Sequence, residues 1–393
     1  MAINRFQRHP VIGWSLVVVL AVFVSESAAY LFFAARPLVQ KILSAADEKE
    51  FHAILARDGV SHNLLERESK ALYFDRVRFH PYRWYALPAN YRGVYVTTDG
   101  YGFRIDPFRV SPRTNKIAFF GGSTMFSARS GNEGSIPALF NEALDGRVAQ
   151  ALNFGVGGYS SAAELTTFIE ALRAYDHIKY AIFYDGYNEI VRYVERLQDH
   201  AAEPYYDVLG YHYYSALGPA MESVIDAHEI RIIYTSQTIR LIAGVVQRLR
   251  GTRNINVIVS DADVPRHAEA LAAIYIRNIR DIAAIAQQHN VTAVFFWHPD
   301  IGSTTKKRFT DRELKLKASD PVVRKLSAAV RAILPRKPEL IAYHWFDLSK
   351  ALDGLDDRPH FLDPVHVSVD ANRLIARRIV DSLHGIVPGA YWK

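Results

Sequence analysis

From Lys116 onward the chain alternates short, wholly apolar runs with longer stretches of helical apolar spacing, and this alternation constrains the fold most strongly. The apolar runs are 117–120, 150–154, 179–184, 292–297 and 342–346, and helical spacing occupies 161–173, 268–288 and 321–333. A strand that is apolar on both sides must be covered on both faces. The pattern therefore predicts a three-layer α/β/α fold around about five parallel strands. In such sheets the ligand lies beyond the carboxyl ends of the strands, at the point where strand order reverses. The residues that follow each apolar run are thus the candidate functional residues.

The first run ends in "KIAFFGGSTMFS", residues 116–127, where two glycines precede Ser123 and Thr124. Such a turn either cradles an anion with its backbone amides or presents Ser123 as a nucleophile. It lacks the lysine of a phosphate-binding loop and the third glycine of a dinucleotide fingerprint. The second run leads to "NFGVGGYSS" (Asn153 to Ser161), the third to "DGYNEI" (Asp185 to Ile190) and the fourth to His298-Pro299-Asp300. Beyond the fifth lies "HFLDPVHVSVDANRLIARRI", which contains Asp363 and His366. A serine hydroxyl is a weak nucleophile and needs a base, which His366 can supply near neutral pH. Asp363, three residues earlier, can fix the imidazole tautomer and stabilise the imidazolium. Ser368 is placed to cap the next amphipathic helix, with Leu374, Ile375, Ile379 and Leu383 docking it on the sheet. The Ser123 amide, a glycine amide of the second loop and the Asn188 side chain are suitable donors for a tetrahedral oxyanion.

The ordered blocks "GGST", "NFGVGGYS", "DGYNE" and "DPVH" resemble those of the SGNH (GDSL-type) hydrolases. More narrowly, they resemble bacterial membrane-anchored members whose first block reads GGST. "TTDGYGFR" is similar to an element just upstream in that subgroup, and "YIRNIRDIAAIAQQHNVTAVFFWHP" to its penultimate helix and strand. The likeness runs over about residues 97–385. It implies a flavodoxin-like SGNH fold, with Ser123 as nucleophile and Asp363 and His366 as acid and base. It also implies an oxyanion hole of Ser123, Gly158 and Asn188. Three departures stand out: no Asp precedes the serine, the third block has Glu189 after its asparagine, and Met125-Phe126-Ser127 follows Ser123-Thr124.

Other candidates have plainer readings. Asn153 and Gly155 shape the second loop, Asp185 caps or hydrogen-bonds locally, and Glu189 joins a salt bridge or supports the site. His298 lines the pocket or is structural, His344 is an interior histidine, and the tyrosine pairs at 205/206 and 213/214 pack. The chain has no cysteine and its His and carboxylate groups show no metal-ligand spacing, so neither a metal nor a cofactor is expected.

Val11 to Val24 is free of charge and follows Arg5, Arg8 and His9; apolar character resumes from Ala28 to Ala35 and stops at Arg36-Pro37. This stretch is about long enough to span a bilayer as a helix. Preceding positive charge predicts a cytoplasmic N-terminus and an exported remainder. Glu26 is costly there unless it lies near the interface, is protonated or faces a partner. Cleavage of a signal peptide at Ser27-Ala28-Ala29 is the alternative, leading to secretion. The uncleaved anchor is expected, because apolar character continues past that point. The expected organisation is an anchor at 1–37, a connector with β-hairpins at 38–110, and a hydrolase domain at 111–393 with a tyrosine-rich insertion at about 190–265. The net charge of +6 is spread along 393 residues, so no nucleic-acid footprint is expected. The resemblance, together with the expected export, implies a membrane-anchored, periplasm-facing esterase acting on O-acyl, chiefly O-acetyl, groups of a cell-envelope or exported polysaccharide. An acyltransferase with the same triad, a lipid esterase, and a non-catalytic carbohydrate-binding or assembly protein are the alternatives.

Overall fold

The computed structural model describes residues 21–22, 24–25, 46–105, 114–144, 149–199 and 259–392. The chain divides into two units, Met1–Glu48 with Val208–Asn256 and Lys49–Asp207 with Val257–Lys393. Nearly all described residues belong to the second. Among the described residues no helix is long and apolar enough to cross a membrane. The expected anchor at 1–37 lies almost wholly outside them, as do the tyrosine pairs at 205/206 and 213/214.

The chain is helical from 46 to 57 (α1), turns at Gly59 (φ +71°), and continues through α2 (His62–Lys70). An antiparallel hairpin follows, β1 (Arg78–His80) with β2 (Trp84–Ala86), as the tyrosine- and glycine-rich composition predicts. The main elements are then β3 (Asn115–Gly121), α3 (Ser123–Phe126), α4 (Ile136–Asn141), β4 (Ala149–Asn153), α5 (Ser161–Ala174), β5 (Ile178–Asp185) and α6 (Tyr187–Asp199). After 200–258 come α7 (Val264–Gln288), β6 (Thr292–Trp297), α8 (Asp311–Ala318), α9 (Pro321–Ile333), β7 (Trp345–Asp347) and α10 (Val369–Leu383). The segment expected as an insertion at 190–265 therefore begins inside α6 and ends inside α7, and the rest of it lies outside the described residues.

The sheet order is β4-β3-β5-β6-β7 with every pair parallel. Order reverses between β3 and β5, so the crevice beyond their carboxyl ends is the natural ligand position. Alternation sends Ile117 and Phe119 to one face, where they join Phe140, Ile375, Ile379 and Leu383 of α4 and α10. Phe120 and Phe183 point the other way and meet Phe168 of α5 edge-on at 5.5 and 5.6 Å. Phe154, Phe120, Phe183 and Phe295 stack in a row across the strands at 5.1, 4.8 and 5.2 Å, which ties strand register to aromatic packing. Ser368 accepts the Ala371 amide and caps α10 as expected, but Leu374 is only half-buried while Ala371, Ile375, Ala376, Ile379 and Leu383 form the docked face.

The fifth strand departs from expectation. It spans Trp345–Asp347, not 342–346, because Pro338–Ile341 forms a helical turn and His344 sits at φ +47°. His344 is exposed, not interior, and only its carbonyl enters the sheet, accepting the Phe295 amide at 3.1 Å.

Candidate active site

Ser123 is the first residue of α3, a four-residue helix directly after β3. Both preceding glycines are required by close approach. A Cβ on Gly121 would lie 2.6 Å from Met125 Cβ, and one on Gly122 only 2.1 Å from Asn188 Nδ2 and 3.0 Å from the Tyr159 carbonyl. Gly122 has φ −80°, so the turn does not demand glycine for its backbone angle. It demands glycine because Asn188 must come that close. Met125 and Phe126 are fully buried and pack into the core, so they do not narrow the site.

The far end of α3 is held by Arg104, from the "YGFR" element. Its buried guanidinium donates to the carbonyls of Phe126 (2.5 Å), Ser127 (3.0 Å) and Ser130 (3.1 Å), and to Tyr95 (3.0 Å). Phe126 closes α3, so its carbonyl has no intrahelical donor and a cation satisfies it well; the other bonds tie the turn after α3 to Tyr95.

Asp363 and His366 lie in a tight loop closed by the bridge Phe361↔Val367 and by the Leu362 amide donating to the His366 carbonyl at 2.8 Å. The loop is fixed from α8. Arg312 donates to the Phe361 and Leu362 carbonyls at 2.6 and 2.5 Å, and Glu313 accepts the His360 and Phe361 amides. Glu313 itself pairs with fully buried Lys307 at 2.9 Å. Asp363 Oδ1 accepts the amides of Val365 and His366, and Oδ2 lies 2.6 Å from His366 Nδ1. Burial opposes the charge on Asp363, but the neighbouring imidazole and these hydrogen bonds outweigh it and hold the carboxyl well below its usual range. An ionised carboxylate only accepts, so Nδ1 carries a proton, and in the neutral ring the lone pair is then on Nε2. That Nε2 atom is buried and has no hydrogen-bond partner among the described residues. His366 lines a pocket together with Thr124, Ser127, Arg129 and Tyr184, and Thr124 is the residue after Ser123.

Ser123 is half-buried, and its hydroxyl makes no hydrogen bond with the described residues. The structure thus joins Asp363 to His366 but does not hydrogen-bond His366 to Ser123.

Of the three N–H groups expected to serve an oxyanion, the Ser123 amide and the Asn188 side chain lie together at the Gly122 turn. The Ser123 amide opens α3 and has no intrahelical acceptor. Asn188 Nδ2, at the start of α6, uses one hydrogen on the Tyr159 carbonyl (2.7 Å) and keeps the other. Gly158, at φ +79°, finds no backbone acceptor among the described residues. Asn153 donates to the Met125 carbonyl and accepts the Gly155 amide, while a Cβ on Gly155 would fall 2.4 Å from the Phe126 amide nitrogen. Both are structural, as read from the sequence.

His298 is structural too. Nε2 accepts the Tyr187 amide at 3.0 Å, so Nδ1 donates to the Pro299 carbonyl at 2.8 Å. Burial, chiefly, pushes its pKa down and keeps it neutral. It positions the backbone next to Asn188. Asp185 is not a local cap. It is buried against Glu164, and neither carboxyl has a conventional hydrogen bond among the described residues. Burial drives the Glu164 carboxyl well above its usual range, with the charges of Asp185 and Glu189 adding to it. Glu189 accepts both the amide (2.6 Å) and the hydroxyl (3.1 Å) of Ser161, tying the start of α5 to α6. Among the described residues no group of three His, Asp or Glu could hold a metal ion.

No protein-family model and no curated protein sequence matches the chain. Solved structures do. The acetylxylan esterase Axe2 of Geobacillus stearothermophilus is 12% identical at a TM-score of 0.38, covering 69% of this chain and 94% of its own. LAE5, an α/β hydrolase from the metagenome of Lake Arreo, is 10% identical at 0.38, covering 72% and 99%. A G-D-S-L family lipolytic protein of Desulfitobacterium hafniense DCB-2 is 9% identical at 0.35, covering 69% and 100%.

Proposed function

We propose that the chain is an SGNH-type serine esterase acting on O-acyl, chiefly O-acetyl, groups of a cell-envelope or exported polysaccharide. In this reading its N-terminal segment anchors it in the cytoplasmic membrane and the catalytic unit faces the periplasm. The observation that carries the esterase reading is the buried Nε2 of His366, without a partner among the described residues, whose tautomer Asp363 fixes, in a pocket shared with the turn that carries Ser123. An unpaired buried acceptor is costly in a fold and is expected where a proton must be taken up. The substrate class and location rest on the sequence blocks and the N-terminal run.

In the proposed mechanism the ester carbonyl enters the crevice between β3 and β5. His366 Nε2 takes the Ser123 proton as Oγ attacks, and Asp363 stabilises the imidazolium. The developing oxyanion is met by the amides of Ser123 and Gly158 and by the free N–H of Asn188. The imidazolium then protonates the leaving alcohol, and an acyl-Ser123 remains. Water, deprotonated by His366, releases the acid.

Turnover of a small aryl acetate by the wild type, Ser123→Ala and His366→Ala tests the reading. Wild-type turnover with both variants at the uncatalysed rate supports it, and equal rates in all three refute it.

A further inference from the structure

We propose that Tyr85 of the N-terminal hairpin is a positioning residue that aims the Gly158 amide at the oxyanion, an inference that rests on the esterase reading above. The Tyr85 hydroxyl donates to the carbonyl of Gly157. That carbonyl belongs to the same peptide unit as the Gly158 N–H. In a trans peptide the two point in opposite directions, so a bond that fixes the oxygen fixes the aim of the hydrogen. Loading the carbonyl also polarises the unit and makes its N–H a better donor.

The neighbouring peptide units are held in the same way. The Gly157 amide donates to the Tyr73 hydroxyl (3.3 Å), and the Gly158 carbonyl accepts from Arg192 Nε (3.3 Å) and Nη2 (3.2 Å). Tyr159 then returns to the hairpin, its hydroxyl donating to the Tyr85 carbonyl and its ring meeting the Tyr85 ring edge-on at 5.3 Å. The Tyr159 carbonyl in turn holds Asn188. Two consecutive glycines are the most freely rotating peptide units a chain can offer, so their orientation must come from outside. Here it comes from side chains of β2, the segment before β1, and α6. The fit is close, since a Cβ on Gly158 would lie 3.0 Å from Tyr85 Oη and 2.8 Å from Arg192 Nη2. Tyr85 is 3% exposed, and burial pushes its hydroxyl pKa up, so it remains a donor at any working pH. The extension before the sheet is therefore part of the machinery that builds the oxyanion hole.

The test uses the full chain in detergent with an aryl acetate. Tyr85→Phe removes one oxygen and keeps the ring. The expected result is a fall in kcat of about 10- to 100-fold with KM within about twofold, since a donor is mis-aimed and not deleted. Inhibition by a boronic acid, which adds to serine to form a tetrahedral anion, weakens by the same factor. Replacing Tyr85 with a ring-fluorinated tyrosine keeps the hydroxyl and strengthens it as a donor, so kcat shifts while the melting temperature stays put. An active wild type with kcat and boronate affinity unchanged in both variants would overturn the inference, as would a loss confined to KM. A wild type that turns over no ester would instead remove the esterase reading beneath it.

Discussion

Gly122→Ala is the sharpest probe of how the proposed nucleophile turn meets Asn188, the proposed oxyanion donor. The new Cβ would sit 2.1 Å from Asn188 Nδ2, where ordinary contact begins at 3.4 Å, so the amide must retreat by about 1.3 Å. Displacement of that size forfeits the hydrogen bond to the Tyr159 carbonyl, a loss of about 1 kcal/mol, and overpacking raises the total to about 1–3 kcal/mol. The backbone has no quarrel with alanine at φ −80°, so the variant folds. Catalysis suffers far more. An oxyanion donor moved by about 1 Å is close to a donor lost, which predicts a fall in kcat of about 100- to 1,000-fold with little change in KM. Steady-state turnover of an aryl acetate, with a melting curve beside it, measures both effects. Because Gly122 acts through Asn188, the double variant with Asn188→Ala should be little slower than Asn188→Ala alone. A Gly122→Ala enzyme with wild-type kcat, or fully multiplicative losses in the double variant, would refute the argument.

Other outcomes follow from the same contacts. Asp363→Asn leaves the loop hydrogen bonds nearly intact but removes the charge facing the imidazolium, so kcat falls by about 10²- to 10⁴-fold in aryl acetate assays. Arg104→Met strips the cation from the Phe126, Ser127 and Ser130 carbonyls, and thermal melts should show destabilisation of about 3 kcal/mol or more together with weakened activity. Glu164 is protonated in the fold at pH values where the unfolded chain, near its ordinary 4.5, has already ionised. The folded state then binds the extra proton, so this group's stabilisation is full below that value and is lost as pH rises through the folded pKa. Glu164→Gln should flatten the decline in melting temperature with rising pH above about 4.5, and an unchanged slope would count against the buried pair.

The sheet was legible because its strands are apolar on both sides and its helices are amphipathic, a signal that needs no tertiary information. The pairing of Asp363 with His366 was legible for a similar reason, since three residues in one tight turn cannot lie far apart. What supports those residues was not. Arg104 reaches α3 from 22 residues upstream, and Arg312 reaches Phe361 across 49. Nothing in local spacing announces such contacts. Two glycines before Ser123 read as turn formers, whereas their absent side chains make room for Met125 and Asn188. A histidine among apolar neighbours reads as interior, but the helical turn at Pro338–Ile341 shifts the strand start and turns His344 outward. The Asp185–Glu164 contact joins the end of β5 to α5, and burial of two carboxyls against each other is not something composition reveals.

The central claim is that Ser123 is a nucleophile activated by His366, and one measurement meets it directly. The full chain is treated with a fluorophosphonate and the adduct is mapped by peptide mass spectrometry. The account predicts a single phosphonyl group on Ser123, formed slowly or not at all in His366→Ala. A wild type that stays unlabelled, or carries the group on another residue, would contradict it.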